Sequence, residues 1–190
     1  MRTIYKGGVT PQQKIVAVNQ KFGNNSIQSQ QGTTRQLYDT LLHQGSAETL
    51  RFFEDSASRN FPLTNTGSDG NKLGVGDTMV ISAIQFSILN LEDNMINALP
   101  DIFQAGQINF EIANNRVIKD LALTEAKTYV NESTSGNIRQ FIIYLETEIV
   151  IPPLLNYVLE LRTPNLDGVE RNLRCDIIVA ARIIAPRTTF

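Results

Sequence analysis

The sequence predicts an all-β protein: an antiparallel β-sandwich or barrel, with the jelly roll prominent among the architectures that fit. Three observations carry this. Apolar residues recur with a period of two, turn dipeptides separate about ten such runs, and helix signals are confined to short stretches. One face buried and one face wet is the mark of antiparallel sheets.

Residues 1–36 read as an N-terminal arm or extension, and 37–190 as one sandwich domain. Within the arm, "FGNNSIQSQQG" (22–32) is amide-rich and unpatterned. "TTRQLYDTLLHQG" (33–45) predicts a short helix, with Thr33 or Thr34 as cap, Leu37, Tyr38, Leu41 and Leu42 at helical spacing, and Gly45 past its end. "ETLRFFED" (48–55) is a strand with Phe52 and Phe53 on opposite faces, one ring for the core and one for an interface. "TMVISAIQFSILNL" (78–91) is apolar on both faces and long for one strand, so it must bend or be covered on both sides. A second short helix is predicted from Asp93 in "DNMINALPD", cut by Pro100.

"INFEIANNRVIKDL" (108–121) predicts a hairpin turning at Asn114-Asn115. In "FIIYLETEIVI", Phe141, Ile143, Leu145, Ile149 and Ile151 share a face opposite Tyr144, Glu146 and Glu148. Pro152-Pro153 forbids one central strand from continuing into "LLNYVLELR", so it marks a corner. There Leu155, Tyr157, Leu159 and Leu161 alternate with Asn156, Glu160 and Arg162. In "LRCDIIVAARII", Leu173, Cys175, Ile177, Val179, Ala181 and Ile183 oppose Arg174, Asp176 and Arg182.

Composition narrows function. Charged residues are 19% of the 190, against a usual ~25%, and neutral amides fill the gap. Such a surface suits contact with protein, since charged side chains and above all Lys are depleted where surfaces pair. Net charge is −2, but residues 1–38 carry Arg2, Lys6, Lys14, Lys21 and Arg35 with no acid, whereas residues 40–150 hold fourteen acids against seven bases. A basic arm ahead of an acidic body fits nucleic acid or an acidic neighbouring subunit. No apolar run approaches the ~20 residues needed to span a bilayer.

The chemistry of an enzyme is missing. "GSDGNKLGVGDT" (67–78) holds four of the twelve glycines, yet its Lys72 is not followed by Ser or Thr as a phosphate-binding loop requires. Asp69, Asn71 and Asp77 are oxygen donors and remain the metal candidates, for calcium, without the alternating ligand pattern or the closing Glu of an EF-hand. Asp69-Gly70 and Gly70-Asn71 read better as turn dipeptides. Nucleophilic catalysis needs a base beside Ser or Cys. The one histidine, His43, falls at a predicted helix end, as a solvated or capping residue. One His and one Cys, Cys175, cannot supply a zinc site. No catalytic residue and no cofactor is expected, and a glycosidase pair could only come from distant strands.

"TLRFFEDSASRNFPLTNTGSDGNKLGVGDTMVISAIQFSILNL" (49–91) and "GQINFEIANNRVIKDLAL" (106–123) resemble coat proteins of tailless icosahedral bacteriophages, which have jelly-roll folds. The likeness lies in the order of elements: an aromatic strand, an "FPLTN" connection, an "LGVGDTMVI" entry, then a hairpin leaving by "VIKDLAL". It implies a non-enzymatic virion protein, made in the host cytoplasm, that assembles with copies of itself and other capsid proteins, its basic N-terminal segment toward genome or inner membrane. The strands suffice for a single roll, which leaves main shell protein and single-roll vertex or minor protein both open. The alternative class is a calcium- or carbohydrate-binding sandwich module of adhesin or lectin type, which would use Asp69, Asn71 and Asp77.

Overall fold

The computed structural model describes residues 13, 31–33, 36–67, 70–75, 77–92, 95–97, 103, 105–125, 127–133 and 136–184. They form eleven strands: β1 (Gln31–Thr33), β2 (Leu37–His43), β3 (Glu48–Phe52), β4 (Thr78–Asn90), β5 (Met95–Asn97), β6 (Gln107–Ile112), β7 (Asn115–Ala122), β8 (Lys127–Ser133), β9 (Gly136–Ile151), β10 (Tyr157–Thr163) and β11 (Arg171–Ile184). Two single 3-10 turns, Ser56–Ser58 and Leu123–Glu125, are added.

Every ladder is antiparallel, and the strands divide into two sheets. The larger runs β1-β11-β4-β9-β8, with β2 also on β11 and β5 also on β4; the smaller runs β3-β10-β6-β7. Their inner faces meet in one apolar core. Phe52, Ile108, Phe110, Tyr157, Leu159 and Leu161 come from the small sheet, and Ile81, Ile84, Phe86, Phe141, Cys175 and Ile177 from the large one. Phe52 of β3 meets Phe86 of β4 at 6.0 Å between ring centroids, so an aromatic pair bridges the layers. Each such side chain, fully buried, stabilises the fold by about 1.5–3 kcal/mol.

Most of the period-two reading holds. Tyr157, Leu159 and Leu161 are buried on one face of β10, as are Leu173, Cys175 and Ile177 on β11. β4 is buried on both faces, because Val80, Ala83 and Leu89 lie outside the core cluster and are covered too. Its register shifts around Ser82 against both β11 and β9. β9 ends at Ile151, and Pro152-Pro153 leads from the large sheet to the small one.

Both helix expectations fail. The stretch 33–45 is not helical: Thr33 closes β1 and Leu37–His43 is β2, seven residues in register with β11. Leu37, Asp39 and His43 point inward at period two. Asp39 and His43 are polar, so they hid a strand face within a helical apolar spacing, and the ladder with β11 overrode local preference. Gly45 ends no helix: it takes a positive φ, +74°, in the β2–β3 turn, where a Cβ would collide with the Val169 nitrogen. The second predicted helix holds strand β5 at Met95–Asn97, paired to the end of β4; Asp93 and Pro100 lie outside the described residues.

Phe52 and Phe53 are also corrected: both rings are fully buried. β3 stops at Phe52, and Phe53 turns at φ +71°, which swings its ring inward against Tyr157. The hairpin turns one residue early, at Ala113 and Asn114 with φ +48° and +66°, and Asn115 already pairs with Ile112. Of the predicted arm, the described residues are Gln13, β1 and Gln36; the rest lies outside them.

Candidate functional site

Among the described residues the two sheets have four lateral edges, treated in two ways. β2 is an edge of the large sheet, and the β3–β4 connection covers it. Asn65 Oδ1 accepts the Tyr38 N–H at 2.8 Å, Asn65 Nδ2 donates to the Gln36 carbonyl at 2.7 Å, and Thr64 Oγ1 donates to the Tyr38 carbonyl at 2.9 Å. Beneath them Asp39, fully buried, accepts from the Phe53 N–H at 2.6 Å and from Arg59 Nη2 and Nε at 2.6 and 3.0 Å. The fork geometry of Arg59 and a backbone donor thereby satisfy a charge that would be costly alone. β3 abuts this covered seam.

On the opposite side the edges are open. β8 pairs with β9 only as far as Ile142, so from Ile143 onward β9 has β4 on one flank and no strand on the other among the described residues. β7 likewise pairs only with β6. β9 also carries a bulge here: Ile81 faces Ile149 and Ala83 faces Tyr144, so Leu145 to Glu148 stand opposite Ser82 alone. The two edges border a half-open groove of about 1180 Å³, lined by residues 117–122 of β7 and 143–150 of β9. Ile118 and Ile143 are buried in it, Leu121 and Leu145 half-buried. Lys119, Asp120, Glu146 and Glu148 line it too, while Val117 and Tyr144 expose 45% and 38% of their surface. Its signal in sequence was the "YLETE" stretch, whose alternation was read as a regular strand.

The glycine-rich loop is a turn region fastened to the fold. Gly70 N–H donates to the Gly67 carbonyl and Asp77 N–H to the Gly74 carbonyl, and Gly70 takes φ +59°. Tyr157 N–H donates to the Asn71 carbonyl and Leu154 N–H to the Leu73 carbonyl, tying the loop to the corner after β9. Of the three calcium candidates, Asp69 lies outside the described residues. Asp77 is buried at the entry to β4, and the Asn71 carbonyl is already engaged by Tyr157. No group of three or more His, Cys, Asp or Glu able to hold a metal occurs among the described residues.

His43 is neither solvated nor a helix cap. It is fully buried at the end of β2, near Phe103. Its Nδ1 accepts the Gly45 N–H at 2.9 Å, so Nε2 carries the proton toward Thr163 Oγ1, also at 2.9 Å. Burial lowers its pKa, against the opposing pull of Glu48. It is a neutral strut, and among the described residues its hydrogen bonds go to Gly45 and Thr163. Cys175 is fully buried and its thiol is pushed well up by desolvation, which removes thiolate chemistry.

The outer face of the small sheet collects charges that pair with one another. Arg51 bridges Glu160 at 2.8 Å and Glu54 at 2.7 Å, and Arg116 holds Glu111 at 2.7 Å. Comparison of the chain with protein-family models, with curated proteins and with solved structures gives no match.

Proposed function

We propose that this chain is a jelly-roll coat subunit that assembles with copies of itself into the shell of an icosahedral phage. The observation that carries the reading is strand order. Taken in chain order, β2, β3, β4, β6, β7, β9, β10 and β11 pair first with eighth, second with seventh, third with sixth and fourth with fifth. An antiparallel ribbon wrapped round a sandwich gives that nesting, the pattern of two interlocked Greek keys. β1, β5 and β8 are then additions to the larger sheet.

Two features support assembly over a solitary binding module. One lateral seam is sealed by the chain's own β3–β4 connection, whereas the other leaves two strand edges beside a groove, and open edges are templates for another chain. Phe61 and Val75, on the same long connection, are the most exposed large apolar residues described, 78% each. Symmetric shells repeat such contacts around closed axes. The N-terminal segment, with Arg2, Lys6, Lys14 and Lys21 and no acid, reaches neighbouring subunits, genome or inner membrane in this reading.

Electron microscopy with light scattering of the full chain, across salt and pH, tests it. Rings, capsomers or shells are expected. Deleting residues 1–32 should leave a folded β core that no longer assembles. A monomer at every condition and high concentration would overturn the coat assignment. Native-sized shells from the truncated chain would overturn the arm's part in it.

A further inference from the structure

We propose that the groove between β7 and β9 receives the basic N-terminal segment, residues 1–30, of a second copy of this chain. The inference rests on the assembly reading and assigns the surface through which one copy holds the next.

Charge is the first argument. The groove has an apolar floor at Ile118 and Ile143, and Asp120, Glu146 and Glu148 line it with one cation, Lys119, while Arg162 stands 4.0 Å from Asp120. The segment before β1 carries Arg2, Lys6, Lys14 and Lys21 and no acid, and its apolar run Ile15 to Val18 lies between two of those lysines. An apolar core flanked by cations matches an apolar floor flanked by carboxylates.

Position is the second. β1 joins the large sheet on β11, with Gln31 opposite Ile184, and the sheet runs from there through β4 to β9. β1, which follows the segment, therefore lies at the edge away from the groove, on the sealed side. Thirty residues reach up to about 100 Å when extended, several subunit widths of sheet. The open edge beside the groove is the surface left for an incoming chain.

The test uses full-length protein in two variants, Gln20→Cys and Thr147→Cys. Thr147 is exposed in the groove, and the native Cys175 is fully buried, so it stays out of the reaction. The two are mixed, assembled and treated with a short bis-maleimide. A covalent dimer joining Cys at 20 of one chain to Cys at 147 of another is expected. Adding Glu146→Lys with Glu148→Lys to the Thr147→Cys partner should lower its yield by about tenfold. Particles that form without this cross-link overturn the groove assignment and leave the coat reading intact. Cross-linking within single chains, in dilute doubly substituted protein, also overturns it, because the segment would then fill its own groove. Absence of any assembly overturns the coat reading and this inference together.

Discussion

The two lateral seams of the sandwich face the same problem and resolve it differently. At the β2 seam, Asn65 and Thr64 occupy the hydrogen-bonding groups of Gln36 and Tyr38, and Asp39 fastens Arg59 and Phe53 below them. At the β7/β9 seam no strand among the described residues pairs with the outer flank of β7 or with β9 beyond Ile142 on that side, and β9 spends four residues, Leu145 to Glu148, on a bulge opposite Ser82. The difference teaches where stability and association reside. The covered seam is built from directional bonds, buried at Asp39, whose loss should destabilise the protein. The open seam is built from exposed side chains, whose loss should leave the fold alone and change what binds it.

The largest effect should come from Asp39→Ala. It strands Arg59 and the Phe53 N–H together, and about 3 kcal/mol of stability should go. Urea unfolding measures this, and a loss below about 1 kcal/mol would mean the seam is not held there. Asn65→Ala removes two bonds at the strand edge and should cost about 1–2 kcal/mol, with faster amide exchange at Tyr38. Slow exchange at Tyr38 in that variant would count against edge covering by Asn65.

Acid should act at the end of β2, beside the covered seam. Burial holds His43 below its ordinary 6.5, so the unfolded chain binds the proton first. Stability is therefore full above about pH 6.5 and falls as pH drops through that value toward the lower folded pKa, at up to about 1.4 kcal/mol per pH unit. Glu48 and Asp167 oppose the shift and Arg171 adds to it. Asp176 runs the other way: burial raises its pKa, so its protonation favours the folded state at lower pH. The difference between wild type and His43→Gln, melted from pH 7.5 to 5, isolates the histidine. Identical slopes would show that it does not titrate with folding.

The smallest stability effects belong to the open seam. Glu146→Gln and Val117→Thr should each change unfolding free energy by less than about 0.5 kcal/mol, while scattering reports weaker assembly. A large loss of stability at either position would erase the contrast between the seams.

How much of this was legible in the sequence differs by element. The strands β9, β10 and β11 were readable because their apolar residues alternate and bury a row in the core, and β4 because it is a long apolar run covered on both faces. The corner at Pro152-Pro153 was readable because proline cannot continue a central ladder. β2 was not, since its inward row includes Asp39 and His43, polar residues whose partners Arg59, Phe53, Gly45 and Thr163 come from elsewhere in the chain. The burial of Phe53 was not, because it depends on a positive φ that Asp39 helps to hold. The groove was hidden for a related reason. Four residues of a bulge in β9 look, in one dimension, like four more residues of an alternating strand.

Composition and local pattern alone were enough to set an all-β fold, antiparallel pairing and the basic-to-acidic division of charge. Those properties follow from each residue's own side chain and its near neighbours. Which edges are sealed, which strand bulges and which polar residues are buried were decided only in the folded chain. Each depends on partners tens of residues apart, Asp39 with Arg59, Tyr38 with Asn65, β7 with β9, and sequence-local preference has no access to such pairings until the sheets have packed.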